Sequence, residues 1–589
     1  MQLRERGPLP YRALAFLCMC GLFAACAQQS APPNPANGSA STAQPSAPRQ
    51  QKMLTVGVSS NVQGFGLAGG TTTAGGWASA VDIFTVGLIT SADTSRQPVG
   101  QMAAKVPTLD DGSIVLGSDG TERVTYTLRQ GITWQDGVPL TAQDMVFSFK
   151  VNTDPGLPFV ERAGTDQMQS VEAPDDTTVV ITFKNPYLAA NKLGARFLWP
   201  YPQHVLQDAW DKYQASKDQN DFLNLPYWTS GYISNGPFRV TDFSPGDSVT
   251  FQAYDKYFLG QPKVSAIRIR TFGTEDALFA SVLAGAVDIY MPVAMGPQLG
   301  FELQDQWQRP GNGTVHLVTG NIRILSPQAR PDLQKEPANL EIPVRQALYY
   351  ALDRDALANA LEGGHTELAA YSILTDENPS YSAIKDDLRV YAYDPNRAKA
   401  TLQQAGWKYN PDGSLVNATD GRRYSTALWS TQGSDEEVGA IADYWRQLGL
   451  AVDEAIIPAA FTRDNQYRAS FPGWETTANS DDTVLSRLET PAGPSTQWAG
   501  TNRSGWDDPA GRALLDAYRQ AITPDAAVQA TKALSQYVST ELPFMPFVYQ
   551  ADHAGVRKGV QALNDVQGAA LAGQPYGTHS RNAYLWDLS

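Results

Sequence analysis

The stretch Thr133-Trp134-Gln135-Asp136-Gly137-Val138-Pro139-Leu140-Thr141-Ala142-Gln143-Asp144-Met145-Val146-Phe147-Ser148 carries a turn and a helix start in succession. Gly137 supplies turn geometry and Pro139 fixes φ. Thr141 offers a hydroxyl at an N-cap, and Asp144 brings a carboxylate three residues on, ahead of apolar Met145, Val146 and Phe149. Outward from this stretch, β-branched and aromatic runs bounded by turn signals recur. They span Leu54 to Val58, Arg123 to Leu128, Thr178 to Phe183, Pro237 to Val240, Ser248 to Gln252 and Ala266 to Arg270. Helical patterns lie among them. Asp394-Pro395-Asn396 gives a cap with proline at the first helical position, and Gly406 gives a stop. Pro343 opens a helix whose Val344, Ala347, Leu348, Ala351 and Leu352 share one apolar face. The class is α/β.

The amino terminus sets where this body works. Arg4, Arg6 and Arg12 precede an apolar run from Ala13 to Ala25, too short for a membrane span and shaped as a secretory signal over residues 1–25. Ala24-Ala25-Cys26 resembles the bacterial lipobox, which implies lipidation of Cys26 after cleavage before it. Ala27 to Gln50 is Ala, Pro, Ser, Gln and Asn with almost nothing apolar, so residues 26–51 are expected to be a tether with a reach of about 30 Å. No later apolar run is long enough to cross a bilayer, and no fixed-period repeat is evident.

Composition narrows the function classes. The formal net charge of −15 becomes −17 once the leader takes away three Arg and one Glu, which makes nucleic acid an unfavourable partner. Cys18, Cys20 and Cys26 all lie in or at the end of the leader. The body therefore has no disulfide, thiolate zinc site or cysteine nucleophile. About 540 remaining residues exceed one hydrophobic core and predict two lobes or more.

The residues from Thr133 to Ser148 resemble the signature of the peptide-type solute-binding proteins that deliver cargo to ABC importers. The resemblance continues in order along the chain. It runs through Asn235-Gly236-Pro237-Phe238, Asp255-Lys256-Tyr257-Phe258-Leu259-Gly260-Gln261-Pro262 and Ala284-Gly285-Ala286-Val287-Asp288-Ile289. It goes on with Val344-Arg345-Gln346-Ala347, Ala351-Leu352-Asp353-Arg354, the Tyr393-Asp394-Pro395 helix to Trp407, and Asn502-Arg503-Ser504-Gly505-Trp506-Asp507-Asp508-Pro509. Most of these residues read as scaffold, with Arg345 and Asp353 expected to pair. The resemblance implies a two-lobed periplasmic-binding-protein-like fold (type II, with three subdomains), a hinge and a ligand cleft between the lobes. It places lobe one at 52–317 with an inserted subdomain at about 90–225, lobe two at 318–543, and a tail at 544–589 returning to lobe one. It also implies a monomer, a peptide or similar oligomeric polar solute, ABC permease partners and no cofactor.

In peptide-binding relatives an aspartate after a Trp-rich loop pairs with the peptide amine. The comparable stretch here, Phe471-Pro472-Gly473-Trp474-Glu475-Thr476-Thr477-Ala478-Asn479-Ser480-Asp481-Asp482, lacks the aspartate–proline pattern and offers Glu475, Asp481 or Asp482 instead. The chain's 13 Trp and 25 Tyr are enough to line a large cleft. Trp474, Trp498, Phe461 and Phe159 are candidate walls, and Asn61 with Phe65 candidates for its floor. Any one Trp is more often core packing.

The same residues allow three rival readings. Gly246-Asp247-Ser248 with Asp552-His553 suggests an exported hydrolase, but Pro245 to Ser248 reads as a hairpin turn and no oxyanion loop is evident. The five histidines, His204, His316, His365, His553 and His579, are scattered without an i, i+4 pair, so no metal site of the protein's own is expected. The same fold would equally hold a sugar or a metal chelate, or serve a ligand-sensing receptor.

Overall fold

The computed structural model describes residues 52–59, 62–66, 76–91, 97–157, 164–374, 380–431, 433–461, 464–479, 484–496, 498, 500–563 and 579–589. The signal segment, Cys26 and the tether lie outside them, as do Asn61, Phe159, Asp481 and Asp482. Residues Gln50–Ser589 form one compact unit.

A ten-stranded mixed sheet organises that unit. Its strands are β1 (Met53–Val58), β2 (Phe238–Ser244), β3 (Ser248–Ala253), β4 (Ala266–Thr271), β5 (Ile289–Tyr290), β6 (Gly313–Pro327), β7 (Ser425–Thr431), β8 (Ala451–Ile457), β9 (Trp474–Asn479) and β10 (Met545–Arg557). The spatial order is β8-β7-β9-β6-β10-β5-β1-β4-β3-β2. The long antiparallel pair β6–β10 runs through the middle, from Gly313 opposite Arg557 to Leu325 opposite Met545. On one side β5 pairs with β10 only at Val556 and Gly555, and on the other β9 pairs with β6 from Ile322 to Pro327. The two groups of strands thus hang from opposite ends of one ladder. The ladder's middle carries a register shift between Thr319 and Asn321.

Every strand run read from the sequence is present with ends within a residue, except that the run read as Pro237 to Val240 continues to Ser244. Helix α1 (Ala142–Thr153) starts where the capping box places it, with the Asp144 carboxylate accepting from the Thr141 N–H at 2.9 Å. It packs on a separate antiparallel sheet built from Ile114–Leu116, Glu122–Thr127, Thr178–Phe183 and Met168–Asp175. Helix α2 (Ile342–Tyr350) and α3 (Arg354–Leu361) follow, then α4 (Pro395–Gln404), capped by Asp394, and α5 (Asp435–Gln447). The last two are α6 (Pro509–Arg519) and α7 (Pro524–Glu541).

Several signature residues act as cross-ties. Gln135 bonds through both ends of its amide to the 234–238 segment, accepting from Ser234 N–H and donating to Gly236 O and Phe238 O. Gly236 admits the Phe84 backbone so closely that a Cβ would fall 2.3 Å from its carbonyl carbon. Asp288 accepts from Thr55 N–H at 2.7 Å and from Arg557, binding β1 to β10. The expected Arg345–Asp353 pair is not formed. Buried Arg345 donates to the carbonyls of Glu541 and Leu340, and Asp353 caps α3 by accepting from Ala356 N–H. Helix ends left carbonyls without partners there, and the long guanidinium satisfies them.

Candidate functional site

The ladder register locates the site. β1, β4 and β5 are parallel, so their carboxyl ends at Val58, Thr271 and Tyr290 point along β10 toward its lower-numbered residues. β7, β8 and β9 are also parallel, and β9 ends at Asn479 opposite Ile322, which itself pairs with Tyr549. The carboxyl ends of both groups therefore aim at one stretch, residues 318–321 of β6 and 550–552 of β10. In open α/β sheets ligands bind outside the carboxyl ends of strands.

The described part of that stretch is polar, with Asp552 buried and Asn321 and Gln550 half-buried. Asp552 is 4% exposed with Asn321 Nδ2 at 3.5 Å from its Oδ2, and Glu362 at the end of α3 accepts from Ala551 N–H at 2.9 Å. Burial pushes the Asp552 carboxyl up to about 7 and the Glu362 carboxyl up to about 8. Arg323 on β6 is held by Glu437 of α5 through contacts of 2.6 and 2.5 Å, and by Ser434 at 3.1 Å. His553 next door is fully buried over Gly300, where a Cβ would lie 1.8 Å from its ring, and burial lowers its pKa to about 4.

Strand β9 sorts its candidates by alternation. Trp474 is fully buried and packs on Trp445 of α5 at 5.4 Å between centroids, within the core that includes Leu325, Leu428 and Val438. It is core packing, and the expectation of a Trp474 cleft wall is corrected on that ground. Glu475, Thr477 and Asn479 point to the other face. Glu475 stands in one row with Trp429 of β7 and Ser326 of β6.

Glu475 is fully buried and ringed by three arginines. Arg468 Nη2 lies 3.2 Å and Arg503 Nε 3.3 Å from its Oε1, and Arg487 Nη1 lies 3.6 Å from Oε2. Burial works to raise the Glu475 carboxyl, and Arg503, Arg487 and Arg468 outweigh it, holding it below the ordinary carboxylate range. Arg330 close by is fully engaged, donating to the carbonyls of Arg503 and Ala492 and to Gln328, with its guanidinium 5.8 Å from the Trp498 ring. Trp498, half-buried at φ +62°, is therefore set against this cluster. Phe461, 41% exposed after β8, stacks on Tyr467 at 4.5 Å, and Tyr467 lies 5.5 Å from Trp429. Phe461, Trp498 and Glu475 are thus brought to the same side of the β7–β9 strand group. Phe65 instead sits in the lobe-one core, stacked on Tyr232 at 4.5 Å.

Sequence reasoning passed over Trp429, Tyr467, Arg468 and Arg487. The signal was present in Val484-Leu485-Ser486-Arg487-Leu488, an arginine inside an apolar run, and in the alternating Glu475, Thr477 and Asn479. A small hollow bordered by Tyr349, Tyr371, Tyr391 and Val538 carries no part of this site.

Ser248 opens β3 directly after the hairpin turn, accepting from Arg268 at 3.0 Å and donating to Asp247. His204 and His365 meet Asp136 and Glu367 separately. Among the described residues no group of three or more His, Cys, Asp and Glu is placed to hold a metal ion, and no helix is long and apolar enough to cross a membrane.

Two groups of parallel strands facing one shared stretch of a through-running ladder make the two-lobed α/β architecture of a solute-binding protein. The chain belongs to the bacterial extracellular solute-binding proteins, family 5, whose model matches residues 98–496. A putative ABC transporter peptide-binding protein of Brucella ovis is 26% identical over 289 residues, 49% of this chain and 50% of the relative. The chain thus spans about half the length of that curated relative. An oligopeptide-binding protein of Thermus thermophilus, solved with a pentapeptide, superposes with a TM-score of 0.69 at 20% identity, covering 92% of this chain and 97% of its own. NikZ of Campylobacter jejuni, solved with Ni(L-His), gives 0.70 at 19% identity, covering 91% and 99%.

Proposed function

We propose that the protein is the extracytoplasmic substrate-binding component of an ABC importer, which encloses a peptide or similar polar oligomeric solute and delivers it to the permease. The observation that carries this reading is the convergence of both sets of strand ends on the middle of the β6–β10 ladder. Residues 52–317 with 544–589 make one lobe and 318–543 the other. Contacts to the solute from both lobes favour the closed form, and only that differential affinity drives closure. Phe461, Trp498 and Glu475 are the ligand contacts on the lobe-two side; the other candidates, Asn61, Phe159 and Asp481, lie outside the described residues. No covalent step is required, so the protein is not an enzyme. It works as a monomer held at the membrane through lipidated Cys26.

A named family relative holding Ni(L-His) keeps a metal chelate as the second reading, since the same scaffold serves different cargo. The test is uptake of labelled peptides by cells lacking this protein. Uptake lost on deletion, restored by the wild type and not by Cys26→Ala expressed at equal level, supports tethered import. Uptake unchanged across peptides, sugars and chelates sinks it.

A further inference from the structure

We infer that Arg468, Arg487 and Arg503, gathered on Glu475, form an anion-binding subsite that takes a carboxylate of the captured solute. This deepens the proposed function and rests on it. Three guanidinium groups share one carboxylate, leaving a formal charge of +2 among the described residues of the cluster, whose arginine side chains are 17%, 3% and 12% exposed and that of Glu475 1% exposed. Isolated buried charge is costly, and a further anion offsets it.

The donors show where that anion sits. Arg330 spends its donors on carbonyls and Gln328, so it is scaffold. Arg487 uses Nε and Nη2 on Asn479 Oδ1 and Thr477 Oγ1, which aims Nη1 at Glu475. Nη1 of Arg487, Nε of Arg468 and Oε2 of Glu475 have no hydrogen-bond partner among the described residues, Nη1 and Oε2 facing each other at 3.6 Å. Arg468 Nε is a donor to spare and Arg487 Nη1 reaches Glu475 Oε2 only at 3.6 Å, so a second carboxylate would complete the paired N–H contacts that guanidinium groups make. Burial and the neighbouring Arg503 lower Arg487 to about 9, which agrees with cations crowded together and short of counter-charge. Trp498, Trp429, Tyr467 and Phe461 around the cluster give the rest of the solute apolar faces. The recognised group is thus an acid, from a peptide terminus or side chain or from a free organic acid, and not an amine.

The test uses calorimetric titration and thermal melting of the full chain in detergent. The probes are succinate, trialanine with a free carboxyl terminus, and trialanine amide, all at matched ionic strength. Binding of succinate or the free-acid peptide, with the amide at least about 10-fold weaker, supports the subsite and tells the two sources of carboxylate apart. Arg487→Met should weaken the acid probe about 10-fold or more, with Arg487→Lys retaining the fold and part of the affinity. Glu475→Gln should lower the melting temperature of the free protein and yet tighten the acid probe, because the competing carboxylate is gone. A merely structural cluster would not give opposite signs. Failure of both acid probes to bind, or an amide that binds as well as the acid, overturns the subsite. If solute is still found bound to the protein in that case, the binding-protein reading survives and the anion subsite alone falls.

Discussion

Replacing Asp552 by Asn and Glu362 by Gln should stabilise the protein at alkaline pH. Both acids are buried beside the middle of the ladder, 4% and 3% exposed, and burial raises them to about 7 and about 8. A carboxyl raised on folding binds its proton more tightly in the native state. Its contribution is therefore fully present below the ordinary carboxylate pKa near 4 and is lost as pH climbs through 7 to 8. At about 1.4 kcal/mol per pH unit, the loss between pH 5 and pH 8 reaches a ceiling of about 6 kcal/mol for the two together. Structural relaxation and water penetration reduce this to roughly half. With an unfolding entropy of about 2 cal/mol/K per residue over some 540 residues, 3 kcal/mol corresponds to a fall in Tm of about 3 °C. The assay is thermal melting of wild type and double variant from pH 5 to pH 8. The wild type should lose several degrees more than the variant, and the variant should melt higher at pH 8. Parallel curves, or a variant melting lower than wild type at pH 8, would refute the reasoning.

Trp474→Ala should cost about 3–5 kcal/mol of stability by opening a cavity against Trp445, seen as a lowered denaturant midpoint, and an unchanged midpoint would return Trp474 to the cleft. Gly236→Ala should prevent normal folding, because its Cβ would overlap the Phe84 carbonyl, and wild-type yield and melting would contradict that contact. Phe461→Ala should change stability by about 1 kcal/mol or less while weakening solute binding about 10-fold, as read by titration with the released solute.

Local signals in the sequence were strong wherever one short element decided the outcome. The Thr141–Asp144 box and the Asp394-Pro395 cap start helices where their side chains reach the free N–H groups, and Thr178–Phe183 forms a strand over the predicted residues. The two longest strands escaped notice. β10 is buried on both faces for nearly all its length, so it lacks the alternation that marks a strand; in β6 the register shift between Thr319 and Asn321 breaks the alternation into short runs. Yet these strands hold the two groups together and define the site. Trp474 shows the complementary limit: composition supplied aromatic candidates, but only the strand's phase decides that residue 474 faces core and residue 475 does not. The arginine cluster draws on positions 468, 487 and 503, and no spacing rule links them before the chain folds.

The central claim is that the two lobes hold a solute, and the most direct measurement is native mass spectrometry of the protein purified in detergent from its own cell envelope. The small molecules are released by denaturation and identified. A stoichiometric, non-covalent, acid-bearing solute is the predicted result. Protein that carries no solute, and that none of a panel of peptides, organic acids, sugars and metal chelates stabilises against heat, would contradict the account.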